Sequence, residues 1–312
     1  MSKKIALVFP GQGSQSVGML ADLYEEFAVV RETFAEATAA LGYDLWTLVA
    51  NGPDVELNQT HRTQPALLTA SVAIWRLWQQ QGGDTPVYLA GHSLGEYSAL
   101  VCAGVMSLSD AVVLVEKRGQ YMQAAVPAGT GAMSAIIGLD DALIAKACED
   151  AAQGEVVAPV NYNSPGQVVI AGHKAAVERA NELCKAAGAK RALPLPVSVP
   201  SHCALMHPAA LQLAVDLKSM SFHTPVISVV NNVDVATATD ANQIQDALIR
   251  QLFSPVRWTE TIEFLSAQGV TEVIELGAGK VLSGLNKRIN KELLTTSIND
   301  VASLQAAFAV KE

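Results

Sequence analysis

The chain has 312 residues, half of them hydrophobic and 16% charged, with a formal net charge of −9 at pH 7. That composition suits a compact folded core and excludes a long disordered chain. The acidic balance speaks against nucleic acid as the main partner and leaves room for a local cationic docking patch.

Lys3-Lys4 precede the apolar residues 5–9, a run too short for a signal-peptide core, and Pro10-Gly11 ends it. Residues 5–9 are apolar on both faces and predict a short buried strand. Pro10-Gly11-Gln12-Gly13-Ser14-Gln15 must then be a loop, with helical patterning resuming near Val17 and two weaker helices over 20–41. Asn51-Gly52-Pro53-Asp54 reads as a turn before a short helix. Residues 63–81 carry Leu67, Leu68, Val72, Ile74, Trp75 and Trp78 at helical spacing and stop at Gly82-Gly83. The strongly apolar uncharged part of that segment, 65–75, is too short for a membrane span. An apolar run then enters Gly91-His92-Ser93-Leu94-Gly95, followed by a helix over 94–100 and another over about 109–125, with Ser109 as its expected N-cap. Alternation of this kind predicts a parallel sheet with helices on its faces, an α/β fold.

Pro127-Ala128-Gly129-Thr130-Gly131 marks a boundary. Beyond it the order is strand (132–137), helix (140–152), strand (156–161), strand (167–171), helix (174–187), strand (190–195). That is the β-α-β-β-α-β order of a ferredoxin-like unit, and its exit, Leu193-Pro194-Leu195-Pro196-Val197, is proline-marked. The expected organisation is a large subdomain of residues 1–128 and 198–312 interrupted by a small one of 129–197. Alternation then resumes, with strands near 226–230 and 273–276 and helices near 204–218, 242–252, 258–267 and 281–291.

The segment carrying chemistry is Gly91-x-Ser93-x-Gly95, since a strand–turn–helix context turns that pattern into a nucleophile elbow. The glycines allow a sharp turn without Cβ clashes, and Ser93 sits beside a helix N-terminus whose free N–H groups can receive negative charge. A serine needs a base. His92 is its chain neighbour, but adjacent side chains on an elbow diverge, which makes it structural. His202, in Pro200-Ser201-His202-Cys203, returns from the insert toward the large subdomain and is the candidate; the residues alone do not separate it from a surface-loop histidine.

Two glycine motifs fail their tests. Gly11-Gln12-Gly13-Ser14-Gln15-Ser16 has Ser16 where a dinucleotide fingerprint wants glycine or alanine. Gly277-Ala278-Gly279-Lys280 lacks the first glycine of a phosphate loop and has Val281 where Ser or Thr would hold magnesium. The first loop keeps an interest, because an oxyanion hole commonly draws one N–H from a different βα loop. Four cysteines, Cys102, Cys148, Cys184 and Cys203, stand far apart with no C-x-x-C spacing; a reduced, cytoplasmic protein without a cysteine-built metal site is the inference.

Phe9-Pro10-Gly11-Gln12-Gly13-Ser14-Gln15, Thr63-Gln64-Pro65-Ala66, Gly91-His92-Ser93-Leu94-Gly95-Glu96-Tyr97, Asn161-Tyr162-Asn163-Ser164-Pro165, Pro200-Ser201-His202 and Glu275-Leu276-Gly277-Ala278-Gly279-Lys280 occur in one order. Together they resemble the malonyl-CoA:acyl carrier protein transacylases of bacterial type II fatty-acid synthesis, over essentially the whole chain. The resemblance implies an α/β-hydrolase-like large subdomain with a ferredoxin-like insert. It implies Ser93 as acyl-accepting nucleophile, His202 as base, and the backbone N–H groups of Gln12 and Leu94 as oxyanion hole. Arg118, which the residues alone leave as a solvated helix arginine, matches the arginine that grips the malonyl carboxylate. Gln251 matches the residue whose backbone carbonyl orients the histidine, and Gln12 and Asn163 are implied substrate contacts. Malonyl-CoA and acyl carrier protein are the expected partners of a monomeric chain that needs no cofactor and no metal. A serine esterase is the rival enzyme, and a non-catalytic carrier-docking module the rival of another class; Lys190, Arg191, Lys280, Lys287 and Arg288 are the candidate carrier-facing cations.

Overall fold

A computed structural model describes residues 4–197 and 199–309; Lys3 and Ser198, the expected re-entry point of the large subdomain, lie outside them. The strands are β1 (Ile5–Phe9), β2 (Tyr88–Gly91), β3 (Gly131–Ile137), β4 (Val157–Ser164), β5 (Gln167–His173), β6 (Arg191–Pro194), β7 (Ser228–Val230), β8 (Glu272–Leu276) and β9 (Leu294–Ile298). They form two sheets: a five-stranded one in the order β7-β2-β1-β8-β9 and a four-stranded one in the order β4-β5-β3-β6.

Every pairing in the larger sheet is parallel. Its central strand β1 is buried along its length because helices cover both faces. Ile5, Leu7 and Phe9 enter one apolar cluster, Ala6 and Val8 the other, as a period-two strand between two layers requires. The helix Thr60–Gln80 is the spine of the first cluster. It starts one turn earlier than its apolar spacing indicates, because Thr63 Oγ1 donates back to Leu57 O (2.6 Å) and ties it to the short helix Asp54–Leu57.

The smaller sheet is antiparallel throughout, and the helices Asp141–Ala152 and Lys174–Ala186 bury their apolar stripes against it. Its strand order is that of a ferredoxin-like unit, so the chain is α/β with a parallel body and a separate antiparallel sheet. Strand β4 runs longer than its apolar pattern predicts, to Ser164, with register shifts along the way. Its edge continues onto the parallel body: Tyr162 N donates to Val256 O (3.0 Å) and Val256 N to Val160 O (2.9 Å). Those bonds set one sheet over the other.

Some elements depart from expectation. The helix Leu108–Ala125 is capped by Ser107, whose Oγ accepts from Asp110 N at 3.0 Å, and not by Ser109. Ser109 lies inside the first turn and contacts Glu36. The helix Leu45–Asn51, strand β9 and the helix Val301–Ala309 are not among the elements expected from the sequence. β9, Leu-Thr-Thr-Ser-Ile, is an edge strand whose polar residues hide it. Among the described residues no helix is long and apolar enough to cross a membrane.

Candidate active site

Ser93 stands between β2 and the helix Leu94–Cys102 with φ 53° and ψ −107°, a backbone that L-residues adopt at a cost. The glycines on either side are required by contact. A Cβ on Gly91 would lie 1.9 Å from the Gly95 carbonyl carbon, and one on Gly95 would lie 2.0 Å from the Phe9 carbonyl oxygen. Helix and strands therefore meet backbone to backbone, and the serine is turned outward. Asn232, just past β7, braces the turn: its Oδ1 accepts from Ser93 N (2.8 Å) and its Nδ2 donates to Gly91 O (2.7 Å). The Ser93 N–H is thereby occupied. The next N–H, that of Leu94, opens the helix and has no intrahelical acceptor.

His202 is 3% exposed, and its Nε2 lies 2.7 Å from Ser93 Oγ. Its Nδ1 lies 2.7 Å from the backbone carbonyl of Gln251. A carbonyl only accepts, so Nδ1 carries the hydrogen and Nε2 is left free to accept from the serine hydroxyl. Burial first, and then the nearby Arg118 charge, hold the His202 pKa down to about 3. The ring is neutral and its tautomer is fixed.

Arg118 reaches the same place from the helix Leu108–Ala125 and is 1% exposed. Its Nη1 donates to Gln64 Oε1 (2.8 Å), its Nη2 to Gln251 Oε1 (3.0 Å) and, at 3.4 Å, to Ser93 Oγ. Its guanidinium faces the Tyr97 ring, 5.3 Å from the centroid. It is no solvated arginine. Two neutral amide oxygens hold a full positive charge beside the serine hydroxyl.

Gln251 is fully buried, and its side chain works as hard as its carbonyl. Nε2 donates to Glu96 Oε2 (2.8 Å) and to Ser93 O (3.0 Å) while Oε1 faces the arginine. Glu96 Oε2 also accepts from Asn232 N at 3.0 Å. Burial raises the Glu96 carboxyl to about 7, against the lowering effect of these bonds and of Arg118.

Gln12, Ser93, Leu94, Arg118, Asn163 and His202 line one cleft of about 950 Å³ between the sheets. Asn163 Oδ1 is 2.8 Å from His92 Nε2, and burial lowers the His92 pKa. His92 thus ties the elbow to β4 and turns away from the serine chemistry. Part of the remaining wall is apolar, with Met133, Ala135 and Val169 from the antiparallel sheet and Val281, Leu282 and Leu285 from the helix Val281–Ile289. The rejected phosphate-loop motif leads into that helix, and its N-terminus is taken. Leu282 N (3.1 Å) and Ser283 N (2.7 Å) donate to the buried Glu275 carboxylate, which sits where an anion would bind. Among the described residues no cluster of His, Cys, Asp and Glu has the arrangement of a metal site.

The sequence profile of the acyl transferase domain family matches residues 6–302. A malonyl CoA-acyl carrier protein transacylase of Salmonella typhimurium is 67% identical over 97% of this chain and 98% of its own. The chain belongs to the malonyl CoA-acyl carrier protein transacylase family. The crystal structure of an acyl carrier protein S-malonyltransferase from Vibrio cholerae is 70% identical and superposes with a TM-score of 0.96, covering 98% of this chain and 100% of that one. A malonyl-transacylase solved in complex with a type II PKS acyl-carrier protein is 62% identical with a TM-score of 0.98, covering 99% and 100%.

Within the transacylase frame, several contributors carry no sequence signal of their own. Gln64 sits in an apolar helix stripe, Asn232 follows a short strand, and Glu96 reads as an ordinary helix-opening acid. The one available hint is that Glu96 lies inside a motif whose His92, Ser93 and Leu94 line the cleft.

Proposed function

We propose that the chain transfers the malonyl group of malonyl-CoA to the phosphopantetheine thiol of acyl carrier protein through a malonyl ester on Ser93. The observation that carries this reading is the buried guanidinium of Arg118 beside the Ser93–His202 pair, in a cleft that ends at both. A carboxylated acyl group has a use for that charge; the acyl groups of ordinary esters do not.

As Ser93 Oγ bonds to the thioester carbonyl carbon, its proton passes to His202 Nε2. Charge on the carbonyl oxygen is met by the N–H groups of Leu94 and Gln12, donors of a kind whose removal costs about 3–4 kcal/mol in other enzymes. The C–S bond breaks and the departing thiolate takes the proton from His202. In the second half the carrier thiol gives its proton to His202, attacks the ester, and Ser93 Oγ regains a proton as the C–O bond breaks. A neutral carbonyl behind the imidazole stabilises imidazolium less than an aspartate does, which is sufficient when the acceptor is an acidic thiol.

Arg118 has a double part. It receives the malonyl carboxylate by charge-assisted bonds that its planar fork matches, and after burial its charge is the next cause that lowers His202. A carboxylate docked on Arg118 cancels that charge, so the base strengthens when the right acyl group is present. Asn163 and the Gln12 side chain complete the acyl pocket. Residues 129–197 form the roof and residues 1–128 and 198–312 the catalytic body. The reaction needs no cofactor of the enzyme's own, and the reading carries a cytoplasmic setting and a monomeric chain. The test is kcat/KM for malonyl-CoA and acetyl-CoA with Arg118→Ala and Arg118→Lys. Malonyl transfer should fall roughly 10²-fold or more in the alanine variant, acetyl transfer should hold or rise, and lysine should restore only part. Equal losses on both substrates would show that Arg118 serves the fold and not the choice of acyl group.

A further inference from the structure

Arg118 is buried before any substrate arrives, and a buried charge needs a counter-charge. Salt partners are absent within hydrogen-bond reach among the described residues: its bonded oxygens belong to Gln64, Gln251 and Ser93. One carboxylate lies a single amide away. The Gln251 side chain donates by Nε2 to Glu96 and accepts by Oε1 from Arg118, so its dipole runs from anion to cation. The backbone of the same residue holds His202.

We propose that Glu96 is a positioning residue of the acyl pocket: through Gln251 it holds Arg118 and balances its charge while the pocket is empty, and it takes up a proton from solvent when a substrate carboxylate replaces it. This rests on the reading of Arg118 as the carboxylate receiver.

The geometry permits the exchange without rearrangement. Both donors, Gln251 Nε2 and Asn232 N, meet the same oxygen, Oε2. A proton on Oε1 therefore breaks neither bond. The other charged or titratable groups facing this site are Tyr97 on the same helix, Asp234 past β7, and His202, beside Arg118 from the opposite wall. Tyr97 is pushed up to about 12 by burial, Asp234 is held low by its bond to Arg250, and His202 is held down to about 3. Glu96, raised to about 7, is left as the group that changes charge near neutrality. A second carboxylate near Arg118 raises it further. The sign follows: malonyl affinity is full below the free-state value and is lost as pH rises through it.

Glu96→Gln places an amide where the protonated acid would be and keeps an oxygen for both donors. Calorimetry in buffers of different ionisation heat, on the Ser93→Ala chain, counts protons on binding malonyl-CoA, with acetyl-CoA subtracted for the CoA moiety. Near pH 7.5 the expected uptake is roughly three-quarters of a proton, and none when Glu96→Gln is added. Malonyl-CoA affinity relative to acetyl-CoA should fall roughly ten-fold from pH 6 to pH 8 with Glu96 and stay flat with Gln. An infrared carboxylic-acid band appearing with malonyl-CoA in the Ser93→Ala chain provides the same reading without touching Glu96. No uptake and no band, or uptake that persists in Glu96→Gln, would overturn the proposal. Adding Arg118→Ala separates the two layers: unchanged preference for malonyl-CoA there would sink the arginine reading itself.

Discussion

A buried imidazole beside a guanidinium is a weak base in the empty cleft, and that has measurable consequences at the level of single residues. Burial and Arg118 take His202 from an ordinary 6.5 to about 3. With acetyl-CoA, which leaves the Arg118 charge in place, and with Glu96→Gln removing the titration near 7, acylation rates followed from pH 8 to pH 5 should therefore show no inflection near 6.5; one centred there would contradict the neutral-base assignment. The same depression makes acid destabilising. Between about pH 6.5 and 3 the unfolded chain binds a proton at His202 that the folded chain does not, so stability contributed by the neutral ring is lost as pH falls through that window. His202→Ala should lower the acylation rate 10²- to 10⁴-fold, the usual range of general-base help. A smaller loss in single-turnover acylation would assign the proton to another group.

The elbow element is built on close backbone approach, which makes it intolerant of the smallest addition. Gly95→Ala would drive a methyl into the Phe9 carbonyl at 2.0 Å, with backbone on both sides and nothing flexible to yield. The expected cost is about 3 kcal/mol or more, read as a lowered urea midpoint; an unchanged midpoint would refute the contact. The helix Val281–Ile289 makes a different prediction. It lends Val281, Leu282 and Leu285 to the cleft wall and leaves Lys287 and Arg288 exposed in its last turn. Reversing both charges should raise the KM for carrier protein at low salt, an effect that fades as salt rises. An unchanged KM would remove this face from the docking surface. These elements also show what a sequence can and cannot display. β1 and β2 are legible because two-sided burial demands continuous apolar runs, and the glycines of the elbow punctuate them. β9 is not, since an edge strand with Thr295, Thr296 and Ser297 has no apolar run to display. The network behind the serine is least legible of all. Gln251 to Glu96 spans 155 positions and Arg118 to Gln251 spans 133, and only the folded sheet brings them together.

Over the whole molecule, function is divided between the two sheets. The parallel body holds Ser93 at a strand–helix turn, His202 in a loop and Arg118 midway along the helix Leu108–Ala125, and the antiparallel sheet closes the cleft above them with Met133, Ala135 and Val169. The bonds between β4 and Val256, and that between Asn163 and His92, fix the distance between roof and floor. A net charge of −9 means that an acidic carrier is met by overall repulsion, so docking depends on a local cationic face. Transfer in two halves through one serine is the claim on which everything else depends. Intact mass of the chain and of its Ser93→Ala variant, taken after malonyl-CoA and again after carrier protein bearing a free phosphopantetheine thiol, tests it most directly. One malonyl group should appear on the unaltered chain and move to the carrier mass when carrier is added, with none at either stage on Ser93→Ala. Malonyl mass on Ser93→Ala, or an ester lost to water without appearing on the carrier, would contradict the account.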